Sequence, residues 1–362
     1  MADTYTAQLL FDGDALHERV RVTVDDGVVT SIEPFNGHPD NYLISPGLID
    51  VQMNGFRDVD VATATKDEFE QLDAHLLRHG TTSWLGTIVT APLERLSSSV
   101  TTLNNLISGT DTGCVGLHVE GPFLGAAPGA HNPAWIIPFD RAWCSSLPSI
   151  VKLMTVAPEQ VGVNENIAQL VAQGIVVSVG HTGATRSEFT SSIDSGARMV
   201  THLFNGMTGV HHRDGGVALF ALTNPTVITG LIADLVHVSP EAINLAFAVK
   251  GGSGVCLVSD SVAWMSQWAV RRGIQVMEGA PRLADGTLAG SSTPLSHCLN
   301  NVVRSCGVPL LDALIACTRT PAQLLGYPQK GRVMVGERAD LVVFDEELSV
   351  VEARRGLVST RG

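Results

Sequence analysis

Eight apolar runs, each followed by a helix-compatible segment, predict an α/β chain built as a (β/α)₈ TIM-like barrel. Two further observations favour this class. The runs are continuous, as in strands buried on both faces, and no glycine-rich phosphate loop follows the first, which argues against an open doubly wound sheet.

In chain order, residues 8–35 alternate apolar and polar positions (Val20, Val22, Val24; Val28, Val29, Ile32), broken by Asp12-Gly13 and by the hairpin signal Asp25-Asp26-Gly27. This is a small β-module. Short strands recur after Gly331, in 339–345 and 348–351, and neither end has enough strands to bury a face alone. The eight barrel runs are 47–51, 82–89, 114–119, 151–156, 175–179, 199–200, 227–232 and 254–258. Beyond the last, 274–277 and 283–288, with Asp285-Gly286 in the second, predict a β-hairpin insertion. Ser291-Ser292-Thr293-Pro294 then leads a helix through Leu295, Leu299, Val302 and Val303, and another helix is predicted over 309–317.

Composition narrows the class. The 362 residues are 44% hydrophobic and 16% charged, which describes a packed globular chain. With 23 basic against 36 acidic residues the net charge is -13, which excludes an unspecific nucleic-acid or anionic-membrane surface. The N-terminus has no basic flank leading into an apolar core, and no run is long enough to span a membrane, so the expectation is a soluble cytoplasmic protein. Six scattered cysteines predict reduced core thiols, with neither disulfides nor a thiolate metal site.

The candidate site follows from what stands where each strand stops. The ends carry Gln52 and Asn54, Thr87, His118 and Glu120, Glu159, His181, His202 and Asn205, Asp234 and His237, and Asp260. A lone histidine at such a place is ordinarily a satisfied, half-buried side chain. His181 and His202 end successive strands, and in barrel enzymes those ends hold the chemistry. Two neutral imidazoles with the Glu120 carboxylate suit one divalent transition metal, zinc first among the candidates, with a position left for water whose pKa the ion lowers to about 7. Asp260 is the natural proton carrier to a leaving nitrogen. Gln52 and Asn54 are weak ligands for a transition metal, so one ion is expected and not two.

The segments PGLIDVQMNG, GLHVEGPF, GAHNP, GHTGAT, THLFNGM, DGTLAGSS and ADLVVFDEEL resemble the N-acetylglucosamine-6-phosphate deacetylases of the amidohydrolase superfamily, over nearly the whole chain. That resemblance implies a barrel over 47–330, with the hairpin insertion near 274–290, and a small β-sandwich made from 1–46 and 331–362. It implies hydrolysis of the acetamide of N-acetylglucosamine 6-phosphate to glucosamine 6-phosphate and acetate, in amino-sugar catabolism and cell-wall recycling. Glu120, His181 and His202 become the metal ligands and Asp260 the general base and acid, while Gln52 reaches the ion only through water. His131 contacts the acyl carbonyl, His237 a sugar hydroxyl, and Asn205 with the Gly206 backbone the phosphate. Arg213 reaches that phosphate from the partner subunit of a homodimer. Two other readings stay open on the residues alone: a single-metal amidohydrolase acting on another N-acyl or cyclic amide, and a barrel kept as a non-catalytic scaffold.

Overall fold

The structure, a computed structural model, describes residues 2–361. Eight parallel strands pair in chain order: β1 (Leu48–Met53), β2 (Thr81–Val89), β3 (Cys114–Glu120), β4 (Val151–Val156), β5 (Val176–Val179), β6 (Met199–Val200), β7 (Ile228–Ile232) and β8 (Val255–Val258). Every residue of β1 and β8 is buried, as expected of strands with the barrel interior on one side and helices on the other. The helical layer includes α1 (Lys66–Arg78), α2 (Leu93–Ser108), α3 (Arg141–Ser145), α4 (Val163–Ala172) and α5 (Arg186–Asp194). Thr65 with Glu68, and Thr185 with Glu188, form reciprocal capping boxes that fix where α1 and α5 begin.

The barrel closes between β1 and β8 through strand-end contacts. Asp260 N donates to Gln52 O at 3.0 Å, and Asn54 N and Gly55 N donate to Ser261 O at 2.9 and 3.1 Å. Asp50 Oδ1 bridges the same seam, accepting from Gln52 N at 3.1 Å and from Ser259 N at 3.3 Å, while its Oδ2 is buried without a partner. Burial pushes the Asp50 carboxyl up to about 6, against hydrogen bonds from Ser259 and Gln52.

The folded chain therefore holds the Asp50 proton more tightly than the unfolded chain, where an aspartate titrates near about 3.9. The stability this proton confers is complete below about pH 4 and is lost as the pH rises towards about 6. Asp50→Asn keeps the accepting oxygen and removes the titration. Urea unfolding at pH 7 is expected to find the variant more stable by about 2–3 kcal/mol, with the difference vanishing near pH 4. An equal difference at both pH values would contradict this account.

The chain ends, whose pairing the residues alone leave open and the family resemblance implies, share one seven-stranded β-sandwich sheet. Its order is Val358–Arg361, Val350–Arg355, Asp340–Phe344, Asn41–Pro46, Asp3–Phe11, Leu16–Asp25, Val28–Pro34. The central junction is antiparallel, with Leu341 opposite Pro46 and Val343 opposite Ile44. Alternating positions such as Val20, Val22 and Val24 pack with Ile44, Leu341 and Val343 in a core of their own. A buried ion pair joins this sheet to the barrel: Arg355 grips Asp73 of α1 at 2.7 and 3.0 Å, and Asp73 also accepts from Trp84 Nε1 and Gly113 N.

The insertion differs in detail from its sequence reading. Gln275–Met277 pairs with Ala280–Arg282, not with 283–288, because Glu278 and Gly279 both take positive φ (50° and 83°) and form the tight turn. Asp285-Gly286 makes a second turn, closed by Leu283 N to Thr287 O at 2.9 Å.

Candidate metal centre

Three side chains on three strand ends converge. His181 Nε2 and His202 Nε2 each lie 3.1 Å from Glu120 Oε1, and 3.0 Å from one another. The turn that aims them is strained: His181, His202 and Asp260 have φ of 50°, 29° and 48°, a region costing a β-carbon-bearing residue about 1–3 kcal/mol. Three such residues at one mouth mark where the fold spends its stability.

The outer contacts fix each ring. His181 Nδ1 donates to Ala127 O and His202 Nδ1 to Asn205 O, both at 3.1 Å, which leaves both Nε2 lone pairs facing each other across the carboxylate. Three acceptors this close need a cation between them. Despite burial, the Glu120 hydrogen bond and charge raise His202 above the usual imidazole range, and, against burial, bonds from His181 and His202 hold Glu120 well below the carboxylate range. The donor set of two imidazoles and one carboxylate fits a divalent ion. His131 also offers a ligand atom, since Glu120, His131 and His181 form a group whose ligand atoms all lie within 4.8 Å. Its Nδ1, however, is engaged with Thr90 Oγ1 at 2.8 Å and its ring stands edge-on to His181.

Asp260 is half-buried beside this cluster. Its Oδ1 accepts from Asn54 Nδ2 at 2.8 Å and from Gln52 Nε2 at 3.1 Å, and the same Gln52 amide donates to Glu120 Oε1 at 3.2 Å. Gln52 is thus a neutral spacer between two carboxylates. Burial first, then the Glu120 charge, pushes Asp260 up to about 7, with His202, His237 and Asn54 opposing.

A cavity of about 1030 Å³ opens over these groups, and Asn54, His131, Asn205, Gly206 and His237 also line it. His237 is oriented by Asp234, whose Oδ2 lies 2.7 Å from its Nδ1. Of the residues given a metal, catalytic or substrate-binding role from the sequence, Arg213 stands apart: it is exposed, its guanidinium 2.8 Å from His212 Nε2, and it does not line this cavity. His118 ends the same strand as Glu120 but is a satisfied core side chain, 2.8 Å from Thr155 Oγ1, its pKa pushed down to about 4 by burial. Sequence reasoning missed the Ala127 and Asn205 carbonyls and Thr90. No residue pattern announces a backbone acceptor.

A parallel barrel whose strand ends bring two imidazoles, a carboxylate and a second carboxylate to one cation position has the architecture of a barrel metallohydrolase. The amidohydrolase family model matches residues 43–359, and the chain belongs to that family. It is 33% identical over 341 residues to the N-acetylglucosamine-6-phosphate deacetylase of Caenorhabditis elegans, covering 85% of this chain and 80% of the relative. Among solved structures, the N-acetylglucosamine-6-phosphate deacetylase of Thermotoga maritima superposes with a TM-score of 0.90 at 29% identity over 100% of both chains. A mutant of the Mycobacterium smegmatis enzyme, in complex with N-acetyl-D-glucosamine-6-phosphate, superposes with a TM-score of 0.89 at 29% identity over 98% of both chains.

Proposed function

We propose that the protein hydrolyses the acetamide of N-acetyl-D-glucosamine 6-phosphate, releasing acetate and D-glucosamine 6-phosphate, in amino-sugar catabolism and cell-wall recycling. The observation that carries this reading is the 3.0–3.1 Å convergence of Glu120, His181 and His202 beside Asp260. These three hold one divalent ion, zinc being the first candidate. When bound, the ion polarises the amide carbonyl and acidifies water.

The chain's own groups do the rest. Asp260, held by Asn54 and Gln52, takes a proton from the attacking water and returns it to the amide nitrogen as the C–N bond breaks. Gln52 keeps the two carboxylates from direct contact. His131 binds the acyl carbonyl oxygen, and His237, oriented by Asp234, binds a sugar hydroxyl. Asn205 and the Gly206 backbone hold the phosphate.

Arg213 completes the phosphate site from the partner of a homodimer, which accounts for its exposure in the single chain. Arg213→Ala is expected to raise KM for the phosphorylated sugar about 10–100-fold, with kcat little changed, because one charge-assisted hydrogen bond to the phosphate is removed. A variant with unchanged KM would remove Arg213 from the site. The protein works in the cytoplasm; among the described residues no helix is long and apolar enough to cross a membrane. Residues 47–330 form the catalytic domain, with 1–46 and 331–362 as the small one.

The test is acetate release from N-acetylglucosamine 6-phosphate, with metal content counted per chain. One ion per chain and turnover that disappears with chelator support the reading. Equal rates on N-acetylglucosamine without its phosphate would point instead to another amide substrate.

A further inference from the structure

Glu159 follows β4 and has no part in the reaction above, yet its carboxylate gathers three donors from two separate loops. Oε1 accepts from Ala126 N and from Gly183 N, each at 2.9 Å, and Oε2 accepts from the Thr182 hydroxyl. All three donors are neutral. Thr182 and Gly183 directly follow His181, and Ala126 directly precedes Ala127, whose carbonyl takes the His181 Nδ1 proton. One loop therefore carries the imidazole, the other carries the acceptor that orients it, and Glu159 fastens the two together.

The surroundings leave this carboxylate little freedom. Gly125 presses against it so closely that a β-carbon at that position would fall 1.8 Å from Oε1. Gly125 N also donates to His181 O at 2.8 Å, and buried Thr182 donates its N–H to Gly206 O at 2.9 Å. The brace thus runs from Glu159 through the ligand strand to the segment proposed to hold the phosphate.

We propose that Glu159 is a positioning residue for the metal centre. It holds the 125–127 and 181–183 segments in register, so that the Ala127 carbonyl fixes the ring of His181 and keeps its Nε2 on the ion. This rests on the metal-centre reading given above. Outer partners of this kind, removed, weaken metal binding about 10–100-fold.

The test uses the full chain and two readouts independent of turnover: zinc affinity by chelator competition, and the visible spectrum of the cobalt(II)-loaded protein. Glu159→Ala is expected to bind zinc about 10–100-fold more weakly and to shift the cobalt bands, while the metal-free protein keeps its Tm. Glu159→Gln retains a carbonyl oxygen that can accept from Ala126 and Gly183, and is expected to restore most of the affinity. Gly125→Ala displaces the carboxylate and should reproduce the loss in an otherwise intact site. Combined with Glu159→Ala it should add nothing, since the methyl then occupies vacated space.

Should Glu159→Ala not fold, Gly125→Ala and the near-isosteric Thr182→Val, which deletes one of the three donors, decide the matter by the same readouts. Wild-type affinity with unchanged cobalt bands in these variants would overturn the proposal, as would equal losses in the alanine and glutamine variants. Failure of the wild-type chain to bind zinc would overturn the metal-centre reading itself.

Discussion

Asp260→Asn is expected to keep its metal ion and lose about 10³-fold in kcat, within the range a positioned general acid–base supplies. The substitution is nearly isosteric. The retained Oδ1 still accepts from Asn54 Nδ2 and Gln52 Nε2, so the seam between β1 and β8 and the three converging ligand atoms stay in place. What disappears is the proton. Burial and the neighbouring Glu120 charge raise Asp260 to about 7, where a single group can both accept a proton from water and give it to a departing amine. An amide can do neither. Steady-state kinetics with metal analysis on the same preparation check this: activity within tenfold of wild type would remove Asp260 from the chemistry, and loss of the ion would make it a ligand.

Glu120→Gln should fail differently, through the metal itself. Glu120 Oε1 is the point on which His181, His202 and Gln52 all converge, at 3.1 to 3.2 Å, and it is the negative charge in the donor set. Replacing it leaves two imidazole lone pairs 3.0 Å apart with only a neutral oxygen between them. The affinity for zinc is expected to fall by more than about 100-fold, beyond what loss of an outer partner causes, with activity falling in parallel. The measurement is metal per chain after dialysis against a weak chelator. A variant that retains a full equivalent of zinc would show that Glu120 is not a ligand.

Much of the site is legible in the linear chain because a parallel barrel converts sequence position into spatial position. A β-branched run stops, and a polar residue one or two positions on faces the mouth. His181, His202, Glu120 and Asp260 can all be found that way. The same rule brings in too much. His118 and Glu159 also stand at or just beyond strand ends, but His118 is engaged by Thr155 and Glu159 faces the loops behind His181. Strand-end position decides which residues are near the mouth; whether a side chain points at the ion depends on hydrogen-bond partners far away in sequence.

The hairpin insertion teaches the same lesson locally. Asp285-Gly286 is the stronger turn signal, yet Glu278-Gly279, both at positive φ, makes the paired hairpin. Glu278 at positive φ is a conformation that its residue type disfavours and its context imposes.

The order of apolar runs and the chemistry at their ends, taken alone, determined that this chain forms an eight-stranded barrel with a cation-binding mouth, since burial on two faces and metal affinity are properties of residue type. Tertiary structure alone decided the register in which the two chain ends pair, that Asp50 and Gln52 close the barrel beneath the site, and that the Ala127 and Asn205 carbonyls orient His181 and His202. Backbone carbonyls are the same in every residue, so only the path of the folded chain can select which of them meets a given imidazole.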